Sequence, residues 1–150
     1  METTYIISFI VDGREWSSRP IKGSLQKATD EAKDQLRISR FYGKKPKKAH
    51  IEKALNNNEV PTIAVSDYVK MSSEQISPYV SGPFYSLGTD GFGRSDTREN
   101  LRHFFEVDRY YIVLTAIRAL ANEGEVDMKV VDKVIKKYKI DPNKSNPIKT

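Results

Sequence analysis

The stretch from Leu87 to Asp108 gathers most of the residue types in this chain that could do chemistry. Gly88, Gly91 and Gly93 fall close together in Gly88-Thr89-Asp90-Gly91-Phe92-Gly93, and a loop so rich in glycine adopts backbone angles other residues avoid or lets another backbone come close. Ser95 and Asp96 then offer helix-capping oxygens, with Glu99 three residues after Asp96 in the spacing of a capping box. A glycine loop that opens a helix can cradle phosphate, because first-turn N–H groups are unpaired and the helix dipole favours an anion. Against this, the glycine spacing is neither a dinucleotide fingerprint nor a P-loop, and Asp90 and Asp96 would repel an anion. The expectation is a structural turn, with an anion or partner contact as the alternative.

Around the loop, Arg94, Arg98, Arg102 and Arg109 alternate with Asp96, Glu99, Glu106 and Asp108. Exposed pairs contribute only about 0–1 kcal/mol each. A buried arginine network, by contrast, could fix the loop or a subunit contact, the role that the family resemblance described below favours. His50 and His103 have no carboxylate or cysteine at metal-ligand spacing and are expected to be inert. Ser95 lacks the surroundings of a nucleophile elbow. Phe104, Phe105, Tyr110 and Tyr111 are expected to pack rather than to stack on a ligand.

Strands and helices must position these residues. Tyr5–Val11 reads as a strand, followed by the turn signal Asp12-Gly13. Ser24 to about Arg40 reads as a helix with Leu25, Ala28, Ala32 and Leu36 on one stripe, and a short helix follows over about 48–55. Asn56-Asn57-Asn58-Glu59 reads as a loop and 61–65 as a buried strand. A helix from Asp67 to Ile76, a strand at 84–87 and a helix from Asp96 to about Phe105 come next. Asp108 caps an expected helix over 109–122 that faces inward with Val113, Leu114, Ile117, Leu120 and Ala121, and Gly124 ends it. Asp127 opens a last helix with Val130, Val131, Val134, Ile135 and Tyr138 inward and four lysines outward. The tail 141–150, with Pro142 and Pro147, is expected to be extended and loose. Strands alternating with helices predict an α/β fold, a three-layer αβα sandwich on a small, mostly parallel sheet.

Composition narrows the classes. The 150 residues suit one domain, with 38% hydrophobic and 30% charged residues and no cysteine, hence no disulfide framework or thiolate chemistry. No apolar run reaches the ~20 residues of a membrane span, and no secretory pattern opens the chain, so a cytoplasmic location and no membrane partner are expected. The net charge of +5 belongs to residues 1–50, with 11 Lys/Arg against 6 Asp/Glu; residues 51–150 hold 14 of each. Lys44-Lys45-Pro46-Lys47-Lys48 could bind phosphate backbones, but no aromatic or arginine pattern accompanies it, so a solvated linker is expected and nucleic acid is not.

Several runs carry a resemblance: Ile63-Ala64-Val65-Ser66-Asp67-Tyr68-Val69-Lys70, Glu74-Gln75-Ile76, the loop from Leu87 through Asp96, Arg98-Glu99-Asn100-Leu101-Arg102, Phe105-Glu106-Val107-Asp108 and Ile140-Asp141-Pro142-Asn143-Lys144-Ser145-Asn146-Pro147. In order and spacing they resemble the C-terminal end of the homodimeric, decarboxylating component of bacterial pyruvate dehydrogenase, a thiamine diphosphate enzyme. The loop is more distantly similar to that of transketolases. The resemblance covers about 45–150; residues 1–44 form a strand–helix segment without a recognised motif. It implies a transketolase C-terminal-like domain, possibly incomplete, that supports dimer assembly of an oxidoreductase converting pyruvate to acetyl groups. Thiamine diphosphate and magnesium serve the full-length family between other domains. Here Thr89-Asp90-Gly91 lacks the first glycine of the cofactor signature, no asparagine pair follows at the required distance, and Asn56-Asn57-Asn58 precedes it instead. The chain alone is therefore expected to be inactive, with no catalytic, cofactor-binding or metal-binding residues. Gly88, Asp90, Gly91, Phe92, Gly93, Arg94, Ser95, Asp96, Arg98, Glu99, Arg102, Glu106 and Asp108 are expected to form a structural loop or subunit contact. The implied partners are the remaining domains of the enzyme or a second subunit, with the acyltransferase core as a further candidate. The alternative is an independent binding module that uses the basic N-terminal third on acidic partners.

Overall fold

The computed structural model of the chain describes residues 9–11, 14–16, 25–45, 47–48, 50–55 and 60–149. Phe9–Val11 (β1) and Arg14–Trp16 (β2) pair antiparallel, from Phe9↔Trp16 to Val11↔Arg14. The expected first strand therefore joins a hairpin of its own rather than the α/β sheet. The reason is geometric: a two-residue connection suits antiparallel neighbours, whereas parallel pairing needs a long crossover. The rest of that expected strand, residues 5–8, lies outside the described residues, as do the Asn56–Glu59 loop and the turn at 12–13.

Leu25–Tyr42 (α1) extends two residues past the predicted end, and His50–Leu55 (α2) follows the lysine stretch. Side chains of α1 hold the returning chain: Gln35 Oε1 accepts from the Lys47 N–H at 2.9 Å, and Glu31 Oε1 from the His50 N–H at 3.2 Å. Thr62–Val65 (β3) and Phe84–Leu87 (β4) form a parallel pair, from Thr62↔Phe84 to Val65↔Leu87. The fold is thus α/β, with a small parallel two-stranded sheet flanked by helices. Between the strands, the expected Asp67–Ile76 helix is confined to Lys70–Glu74 (α3), followed by a 3₁₀ turn at Ser77–Tyr79 with Pro78 in its first turn. Val69, the residue before α3, is extended at φ −60° and ψ 144°, because the neighbouring loop claims the backbone there.

Ile51 is fully buried against Ile76, with Leu55, Tyr79 and Phe84 packed around them. On the β3 side lies Arg109–Asn122 (α5), which also packs against Met128–Tyr138 (α6). The most buried α5 residues are Tyr111, Ala116, Ala119 and Leu120, whereas the predicted Val113, Leu114, Ile117 and Ala121 are only half-buried. A single-stripe reading misplaces the face because α5 is covered by both the sheet and α6. In α6 the prediction stands: Val131 is buried, its apolar neighbours are half-buried, and Lys129, Lys133, Lys136 and Lys137 are exposed. Asp108 and Asp127 cap α5 and α6 through their carboxylates.

The tail departs from expectation. Pro147 is buried, and Pro147–Lys149 forms a 3₁₀ turn. The Lys144 ammonium donates to the Phe104 carbonyl at 2.6 Å and to Glu106 Oε1 at 3.0 Å. A charged anchor and a buried ring hold this segment where composition alone suggested freedom.

Candidate functional site

The glycine loop begins as a staple. At the end of β4, a Cβ on Gly88 would stand 2.6 Å from the Tyr68 carbonyl oxygen and 2.7 Å from the Lys70 nitrogen, so only glycine fits between these backbones. Thr89 donates its N–H to the Tyr68 carbonyl at 2.9 Å and its hydroxyl to the Asp67 carbonyl at 3.2 Å. Asp90 Oδ1 accepts the Lys70 N–H at 3.1 Å, which caps α3 from across the fold, and its other oxygen lies 3.8 Å from the Lys70 ammonium. Gly91 follows at φ 117°, and a Cβ there would strike the Pro147 carbonyl. The loop thereby ties together β4, the β3–α3 corner and the C-terminal tail.

From Gly91 onward the character changes. Residues 91–100 are all exposed, and Phe92 stands 78% exposed. Gly93 has open space around its Cα. The Arg94 guanidinium lies 4.0 Å from the centroid of the Phe104 ring. Arg98–Phe104 (α4) starts two residues later than expected. Its N-cap is Thr97, whose hydroxyl oxygen accepts the Asn100 N–H at 3.3 Å. Asp96 Oδ1 instead accepts the Asn100 side-chain amide at 2.9 Å and the Thr97 N–H at 2.7 Å. These bonds, the Asn100 one foremost, hold the Asp96 carboxyl below its ordinary pKa. The expected Asp96–Glu99 capping box is therefore replaced by Thr97. Ser95, Arg98 and Glu99 are exposed.

Among the described residues the expected buried arginine network does not form. Arg102 pairs with Asp67 at 2.6 Å, a bond that raises the guanidinium pKa, but both side chains remain substantially exposed. Arg109 donates to the Tyr110 hydroxyl at 2.7 Å from an exposed position. α4 stands on the surface, so its charges face water rather than a core. Sequence spacing also missed a partner for His103: its Nδ1 lies 2.8 Å from Asp108 Oδ2, while Asp108 Oδ1 accepts the N–H groups of Tyr110 and Tyr111. Asp108 thus joins the end of α4 to the start of α5. At the corner between those helices, Glu106 takes a left-handed φ of 62°, and its carboxylate meets Lys144. The Tyr111 hydroxyl is buried and has no hydrogen-bond partner among the described residues. Its pKa is pushed up to about 12, chiefly by burial and then by the charges of Glu106, Asp108 and Asp141.

An open cleft of about 1410 Å³ lies between the end of β3, α4 and the start of α5. The carboxyl end of β3 forms one side; Ser73 and Ile76, Phe104 and Val107, and Ile112 line others, while Arg98, Arg102 and Arg109 border it. Ligands of open α/β sheets commonly bind beyond the carboxyl ends of the strands. Among the described residues no three His, Asp or Glu side chains gather to hold a metal ion, and Asp90 is committed to α3. Among the described residues no helix is long and apolar enough to cross a membrane.

This combination of a parallel strand pair, flanking helices and a glycine corner is that of a known domain class. Residues 25–108 match the transketolase-like TK C-terminal domain, and the chain belongs to that family. Among curated proteins it is similar to the pyruvate dehydrogenase E1 component of Cupriavidus necator, 54% identical over 103 residues, which is 69% of this chain and 12% of that protein. The E1 component of Pseudomonas aeruginosa is 48% identical over 121 residues, covering 77% of this chain and 14% of that protein. That of Escherichia coli K12 is 54% identical over 91 residues, covering 60% and 10%. The chain therefore spans about a tenth to a seventh of the length of these relatives.

Proposed function

We propose that this chain acts as an assembly domain of the pyruvate dehydrogenase E1 kind, without a complete active site of its own. It supports the association of the chains that oxidatively decarboxylate pyruvate. The observation that carries this reading is the contrast within the loop: Gly88–Gly91 is locked into the fold, while Phe92–Asn100 is exposed on that rigid base. Exposed, well-braced apolar and arginine side chains such as Phe92 and Arg98 are the kind that anchor interfaces. The 45–150 region is the assembly unit in this reading, and the cytoplasm is its place of work.

The remaining part of an E1-type chain, or a second subunit, is the partner, and the acyltransferase core is a further one. Thiamine diphosphate and magnesium then belong to the partner's domains. Titration calorimetry of this chain with thiamine diphosphate and magnesium is expected to show no binding. Tight, magnesium-dependent binding overturns the reading. A second reading draws on the exposure of Lys44, Lys45, Lys47 and Lys48, which leaves a basic stretch free for an acidic partner. Salt-dependent retention on nucleic acid, lost when these four lysines are neutralised, would favour it.

A further inference from the structure

Among the described residues the parallel sheet has two strands, and one edge of it meets the cleft. Thr62 and Ser66 donate their N–H groups to the carbonyls of Pro83 and Leu87, at 2.7 and 3.0 Å. In a parallel ladder, alternate residues face the same neighbour. Ile63 and Val65 therefore turn their N–H and C=O groups to the opposite edge, where no described strand pairs with them. An unpaired edge of this kind is a template for another strand. A two-stranded sheet is also marginal by itself, and parallel sheets are normally covered on both faces.

The cleft has the shape that a further strand requires. Ala64 and Val65 of β3 lie along it, Ile76 lines it from the α3 side, and Ile112 lines it from α5. α3 packs against β4 and α5 against β3, so the gap continues the sheet between helices. Its volume of about 1410 Å³ exceeds the roughly 300–1,000 Å³ of small-molecule pockets.

We infer that the outer edge of β3 is a strand acceptor: an extended apolar segment of an E1-type polypeptide pairs with Ile63 and Val65 and fills the cleft. The segment comes from the large part of such a polypeptide that this chain does not match, since the match spans only 10–14% of the relatives. Main-chain hydrogen bonds to the edge supply affinity, and Ile76 and Ile112 on the apolar side of the cleft select the side chains. The inference rests on the assembly reading and names the surface through which assembly occurs.

The test mixes the full chain with the Escherichia coli E1 component truncated before its matched segment, and follows the complex by sedimentation and amide hydrogen exchange. In the free chain, the amides of Ile63 and Val65 are expected to exchange faster than that of Ala64. In the complex they should slow by at least about ten-fold, as paired amides do. Val65→Pro deletes the outward N–H together with the valine side chain, at an edge position where proline is tolerated, and is expected to weaken the complex by about ten-fold or more. If that variant unfolds, the exchange data on the unaltered chain still decide. A complex in which both amides stay fast overturns the strand proposal and leaves the assembly reading standing. Both amides already as slow as Ala64 in the free chain overturn it too, as does concentration-dependent self-association that protects them. Absence of any complex overturns both readings.

Discussion

The two parts of the glycine loop both carry glycine, threonine and aspartate and differ in how the fold holds them. In Gly88–Asp90 each residue is spent on the fold: Gly88 between two backbones, Thr89 on Tyr68 and Asp67, Asp90 on the start of α3. In Gly91–Asn100 every residue is exposed, and after Gly91 the contacts are short-range hydrogen bonds or a surface stack on Phe104. The difference shows that glycine density alone does not identify a ligand loop. A glycine jammed between backbones is structural, and one in open space is available to a partner.

The strongest way to break this comparison is to fill the two kinds of space. Gly88→Ala is expected to destabilise the chain by about 2–3 kcal/mol, since backbone atoms cannot yield as side chains do. Gly91→Ala should cost about 2 kcal/mol through its positive φ and the Pro147 contact. Gly93→Ala should stay within about 0.5 kcal/mol of the parent. Urea unfolding of the three variants ranks them, and a Gly93 variant as damaged as Gly88 would erase the distinction.

Caps come next in size. Asp108→Ala removes the acceptor for two α5 amides and for His103, and a loss of about 1–2 kcal/mol is expected. Asp90→Ala should lose about 1 kcal/mol by uncapping α3 from a distance. Thermal melts would show both, and equal insensitivity would mean that the staple is idle. On the exposed half, Phe92→Ser should leave unfolding within about 0.5 kcal/mol of the parent. It should nevertheless weaken association with the truncated E1 chain, read by sedimentation.

Tyr111 provides a sharper and opposite sign. Removing its unpartnered hydroxyl in Tyr111→Phe should stabilise the chain by about 1 kcal/mol. The pH dependence follows from its raised pKa. The neutral phenol is favoured in the folded state, so its contribution is fully present below the ordinary value of 10.0 and is lost as pH rises toward about 12. Unfolding measured from pH 9 to 12 should show that decline in the parent and a shallower one in Tyr111→Phe, where matching slopes would refute the assignment. Asp96 works in the other direction. Its lowered pKa favours the folded state above the ordinary value of 3.8, and that contribution is lost as pH falls through the lowered value, which far-UV circular dichroism should register as fraying of α4.

Local signals carried much of this architecture. β4 and α5 coincide with their predicted ranges, and β3, α1 and α2 lie within two residues of theirs at most ends. The capping aspartates Asp108 and Asp127 act as their positions suggested. The start of α4 was misplaced because Asp96 and Thr97 offer competing capping oxygens, and only backbone geometry chooses between them. α3 was overextended because its limit is set by Gly88 and Asp90, some twenty residues away.

What the amino-acid sequence determined by itself is the set of elements, the glycine corner and the family, because periodicity, caps and motif order are local or colinear properties. Three further features depended on the tertiary structure: the surface position of the arginines, the closure of the tail through Lys144 and Pro147, and the unpaired edge of β3 beside the cleft. Each depends on which segments meet in space. Such meetings are settled by burial and by backbone hydrogen bonds between residues distant in the chain, which no local pattern encodes.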